Sequence, residues 1–191
     1  MTALIAGLLL FLGVHSMRIF AEDWRSRQLA RLGEARWKGL YSLASALGLG
    51  LMVWGVGLTR AEPVMVWAPE AAMRHVAALL TLPAFILLAA AYVPGNRIKR
   101  AVGQPMAAGV ALWALAHLLS NGRLADLLLF GGFLAWSVLS FSAAQSRDRA
   151  AGVTCAVGGI GCDALTVTIG LVAWVGFAAY LHVWMIGLRP F

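Results

Sequence analysis

The chain alternates between long apolar runs and short connectors that are charged or rich in turn formers. Six runs can be drawn. The first spans about Thr2 to Phe20, and the second about Gly39 to Leu58. The third covers about Ala71 to Val93 and contains Pro83, which removes a backbone donor and predicts a kink. The fourth spans about Pro105 to Ser120, the fifth about Leu124 to Ala144 and the sixth about Ala164 to Leu188. All are near the ~20 residues that carry a helix across ~30 Å of hydrocarbon, although the fourth is short. Between the first two runs, the charged stretch EDWRSRQLARLGEARWK is amphipathic enough to form a short helix at the membrane interface. Residues Thr59 to Glu70 and Val93 to Gln104 read as loops, and Asn121-Gly122 reads as a tight turn joining the fourth and fifth helices. The expected fold is a single all-α domain over residues 1–191, a polytopic bundle of about six transmembrane helices.

Composition agrees with this pattern. Of 191 residues, 61% are hydrophobic and 12% charged, about half the charge of an ordinary soluble domain. The formal net charge of +7 is spread through the connectors and forms no nucleic-acid-binding stripe, so its expected partner is anionic lipid. Eleven of the 15 Lys and Arg residues fall in the first, third and fifth connectors. The positive-inside rule then predicts a multi-pass membrane protein with both termini outside the cytoplasm. The first run lacks a basic leader and a small-residue cleavage site, and is read as a retained helix. Cys155 and Cys162 lie in the last basic connector at a spacing that fits no usual zinc site, and read as incidental.

The chemistry-bearing residues are histidines. His15 and His117 lie inside apolar runs, where an ionisable side chain is a functional candidate by default and where neutral imidazole is a common iron ligand. His117 has Trp113 and Asn121 one turn away on either side and small neighbours that let a helix or a flat macrocycle approach. His15 is followed one turn later by Arg18, which suits a porphyrin propionate or a lipid phosphate. The alternative for each histidine is a hydrogen bond to a neighbouring helix. His75 and His182 fall near predicted membrane ends. Trp37, Lys38 and Tyr41 read as interfacial anchors, with Arg36 or Lys38 as possible propionate partners. Asp126 either caps its helix or pairs with Arg123. No Ser-His-Asp set, phosphate loop or carboxylate pair can be read from the chain.

Four segments carry a resemblance: LGVHSMRIF, ARWKGLYSLASALGLGLMVWG, LWALAHLLSNGRLADLLLFGGFLAW and LHVWMIGLRP. Together they resemble the NnrU family of bacterial membrane proteins, linked to nitrite and nitric oxide reduction in denitrifying bacteria. The family is in turn similar to the plant 15-cis-ζ-carotene isomerase, a membrane enzyme with b-type haem. The resemblance implies haem b held by two histidines, one in an HS motif and one in an LAH motif, which here are His15 and His117. Arg18, Lys38 and Trp113 are the accompanying cofactor-binding candidates. It also implies a redox, nitric-oxide-related or isomerase-like role acting on a lipophilic polyene, or contact with a membrane redox partner. A haem-free assembly factor for nitrite and nitric oxide reductase systems is the alternative.

Three features depart from the resemblance. Gly103-Gln104-Pro105 stands where the family usually carries Arg-His-Pro, which weakens any S-adenosylmethionine reading. Ala114 stands where the plant enzyme has a cysteine, so a thiolate cannot exchange as ligand there. The predicted topology also sets His15 roughly 20 Å below the outer surface and His117 only one turn below it. His182, at a depth similar to His117, is therefore an alternative second ligand.

Overall fold

The computed structural model describes residues 1–156, 158–188 and 190. Helices α1 (Thr2–Phe20), α2 (Glu22–Leu32), α3 (Glu34–Thr59), α4 (Met73–Tyr92), α5 (Arg97–Val102), α6 (Pro105–Ser120), α7 (Leu124–Ala150) and α8 (Ile160–Gly176) follow in order. A π-helical turn, Phe177–Leu181, continues α8 into α9 (His182–Ile186). Five helical stretches are long and apolar enough to cross a membrane: α1, α3, α4, α7 and the continuous Ile160–Ile186. The sixth, α6, is apolar but has 16 residues, about 24 Å of helix. The protein is a multi-pass helical membrane bundle. Large apolar side chains such as Leu9, Leu79 and Trp184 point outward, as a hydrocarbon solvent allows.

Local chemistry accounts for the helix ends. Pro105 occupies the first turn of α6, where its missing N–H costs nothing. Gly33, with φ near +78°, takes the sharp corner between α2 and α3 that a side chain would resist. Buried Asn96 caps α5 by accepting from the Lys99 amide at 2.6 Å, and its own amide donates to the Ala90 and Val93 carbonyls at the end of α4. The short α2 lies where the amphipathic connector predicts it, tied to α3 by an edge contact between Trp24 and Trp37.

Two helices run longer than their apolar stretches. α3 begins at Glu34 because Glu34 and Lys38 pair at 2.6 Å one turn apart. α7 continues to Ala150, where Arg149 donates to Gln145 across the last turns. α4 runs as one helix through Pro83. Asn121 and Gly122 do not form an independent tight turn. Asn121 is extended, and the loop before α4 lies against this segment through an antiparallel bridge between Met65 and Arg123.

Neighbouring helices form an open row, α3–α1–α7–α6–α4–α8, with no substantial contact closing α3 onto α8 among the described residues. Small residues set the closest approaches. A Cβ on Gly55 would lie 2.3 Å from the Leu4 backbone nitrogen, and one on Gly170 would lie 2.7 Å from the Ile86 Cα. Without a hydrophobic drive between helices in lipid, such backbone proximity is a main source of packing energy. A compact apolar core of Leu4, Leu8, Met52 and Ala125 joins α1, α3 and α7.

Candidate functional site

α1 carries His15 near its C-terminal end. Its Nδ1 lies 2.7 Å from the Phe11 carbonyl, and since a carbonyl can only accept, that nitrogen holds a proton. In the neutral ring this tautomer leaves the lone pair on Nε2, the arrangement in which a backbone carbonyl orients a metal-ligating imidazole. The ring stacks on Phe11 at 4.2 Å between centroids, with Tyr41 of α3 at 5.2 Å and Trp136 of α7 edge-on at 6.0 Å.

This histidine lines a half-open cavity of about 850 Å³. Its apolar wall includes Val14, Leu29, Met106 and Ala144, and Arg18, Arg25, Lys38 and Arg147 line it as well. Glu22 meets Arg18 at 3.5 Å and Arg25 at 3.1 Å, and Glu34 holds Lys38. Four cations thus face two carboxylates. Arg147 donates to the Arg18 carbonyl at 3.0 Å and has no carboxylate partner among the described residues. The residue Trp136 lines the cavity too, but its indole N–H is closed off from it and has no hydrogen-bond partner among the described residues. An unpaired buried donor costs about 1–3 kcal/mol.

His117 occupies a different place. It lies near the C-terminal end of α6, with Nδ1 2.8 Å from the Trp113 carbonyl and its ring 5.0 Å from Trp113 and 4.6 Å from Phe130. It lines a small pocket of about 50 Å³ together with His182, Thr81, Trp113 and Trp174. Nearby, Asp126 is buried and takes two bonds from Arg123 at 2.6 and 2.9 Å, the pairing anticipated from the sequence.

α7 runs past both places. Phe130 touches His117 and Trp136 touches His15, six residues apart, or about 9 Å of helix rise. Phe133 lies between them, 5.8 Å from Phe11 and 5.7 Å from Trp113. The structure therefore places His15 with Arg18 and Lys38 at one cavity. It places His117 with Trp113 and His182 at another. Among the described residues no three His, Cys, Asp or Glu side chains converge as a metal-binding group.

The family model described as NnrU protein matches residues 3–190, nearly the whole chain. The chain belongs to the NnrU family. No curated protein and no solved structure matches it significantly. Within this NnrU domain, sequence reasoning missed Trp136, Arg25 and Arg147 as cavity residues. The signal for part of the set lay in α7, where Phe133, Trp136, Ser140, Ala144 and Arg147 recur at spacings of three and four and so share one face. Which helix that face meets is not written in its spacing.

Proposed function

We propose that this NnrU-family protein holds a b-type haem in the cavity beside His15. The observation that carries the reading is the combination at that cavity of an imidazole oriented by the Phe11 carbonyl and an excess of positive charge. The volume falls within the range of about 300–1,000 Å³ usual for cofactor sites. The chemistry of the donors also fits: His15 Nε2 would ligate iron, and Arg18, Lys38 and Arg147 would hold the two propionates. The apolar wall would keep water from the iron. When bound, such a haem supplies an iron that exchanges one electron or takes a diatomic such as nitric oxide, in line with a redox or nitric-oxide-related role in denitrification.

A form with both His15 and His117 on one iron would have to draw together two histidines that line separate cavities and are linked through the ring contacts of Phe11, Phe133 and Trp113. The one-histidine form needs no such rearrangement. Absorbance of detergent-purified protein reconstituted with haem separates the two. His15→Ala should abolish the Soret band and His117→Ala should leave it. Loss in both variants would establish the two-histidine form, and a well-folded wild type that stays colourless would overturn haem binding altogether, favouring an assembly role.

A further inference from the structure

We infer that the pocket shared by His117 and His182 is a site for a single Cu(I) ion. The inference is independent of the haem reading, because it concerns different side chains in a different cavity.

Both rings are pre-oriented in the same sense. His117 Nδ1 donates to the Trp113 carbonyl at 2.8 Å, and His182 Nδ1 donates to the Leu188 carbonyl at 2.7 Å. In the neutral ring the lone pair then sits on Nε2, and neither Nε2 has a hydrogen-bond partner among the described residues. The other polar groups at the pocket satisfy one another: the Thr81 hydroxyl donates to the Ala78 carbonyl and accepts from the Trp174 indole at 3.1 Å. Two imidazoles, each with an unpartnered nitrogen, thus line one pocket.

His182 follows directly on the π-helical turn Phe177–Leu181. An extra residue in a turn rotates everything after it, and such turns recur at functional sites. Here the turn brings Phe177 against Phe85 of α4 at 5.6 Å and edge-on to His182 at 6.0 Å. The end of the last membrane helix is thereby seated at the pocket containing His117.

Size, charge and ligand number select the ion. About 50 Å³ admits an ion with a few waters but no macrocycle. Among the described lining residues there is no carboxylate and no Lys or Arg. Burial cost rises with the square of ionic charge, so two neutral imidazoles in an apolar pocket suit a monovalent ion far better than a divalent one. Imidazole is a good copper ligand, and Cu(I) accepts two nitrogen donors without a third. The adjoining indole of Trp113, whose face is rich in electron density, adds attraction for a cation.

The test is anaerobic titration of haem-free, detergent-purified protein with Cu(I) in competition with bicinchoninate. Wild type should retain one Cu(I) per chain, with X-ray absorption reporting imidazole nitrogens as the ligands. His117→Ala and His182→Gln should each release the ion to the chelator, and His15→Ala should keep it. His182 is only half-buried, so His182→Gln should elute as the wild type does and separates lost binding from lost folding. Failure of wild type to hold copper, or retention in either His117→Ala or His182→Gln, would overturn the inference. Equal retention of Zn(II) would overturn the argument from charge.

Discussion

Gly55 tests how α1 and α3 are held together. Its missing Cβ would lie 2.3 Å from the Leu4 backbone nitrogen, 2.6 Å from Leu4 Cα and 2.9 Å from Leu4 Cβ. Two of these are backbone atoms that no rotamer change can move. Ordinary carbon contacts need about 3.5–4.0 Å, so Gly55→Ala forces the helices apart by roughly 1 Å at this point. Leu4 is fully buried and Met52 nearly so, and both belong to the core that this separation would loosen. Overpacking of this kind costs about 1–3 kcal/mol, and the rigidity of the contact places this site in the upper part of that range. Alanine recovers about 0.5–1 kcal/mol of helix propensity, leaving a net loss of about 1–2 kcal/mol. Gly50, on the same helix, has nothing within 4 Å of its Cβ position, so Gly50→Ala should show the propensity gain alone. Gly7→Ala meets the Met52 backbone nitrogen at 2.6 Å and should behave like Gly55→Ala, and combining the two should cost less than their sum because the helices separate once. The assay is unfolding in mixed micelles of increasing sodium dodecyl sulfate, followed by far-ultraviolet circular dichroism. Equal midpoints for Gly55→Ala and Gly50→Ala would refute close backbone packing as the bond between α1 and α3.

Gly122→Ala should release the loop before α4, because its Cβ would lie 1.9 Å from the Trp67 carbonyl oxygen; faster hydrogen exchange at the Val66 and Leu124 amides, now bonded to the Gly122 and Val64 carbonyls, is the measure. Unchanged exchange would mean the loop is held elsewhere. Asp126→Asn should lower stability by about 2–3 kcal/mol, below the full cost of breaking a buried pair because the Arg123 side chain retains 24% exposure. The paired change Arg123→Met with Asp126→Leu should recover most of that loss in the same denaturation assay, and a single variant as stable as wild type would show the pair contributes nothing.

How much of the molecule could be read from the sequence depends on how local each cause is. The ends of α1 and α6 coincide with the apolar runs because hydropathy and an N-terminal proline act within a few residues. α3 and α7 overrun theirs because Glu34–Lys38 and Gln145–Arg149 continue the helix through polar contacts one turn apart. Asn121-Gly122 looks like a turn by local rules, yet its backbone is drawn out by a loop more than 50 residues away in sequence.

By itself the sequence determined that this chain is a helical membrane protein, and it singled out His15 and His117 as ionisable side chains inside apolar runs. Hydrophobic length and isolated polar side chains in an apolar run are properties of single segments, and bilayer physics acts on each segment separately. Only the tertiary structure decided which histidines share a cavity. The order of helices, set by where glycines let backbones approach, places Trp136 and Arg147 of α7 beside His15, and a π-helical turn seats His182 at the pocket of His117. Those neighbours arise from contacts between segments far apart in the chain, and periodicity within one segment carries no record of them.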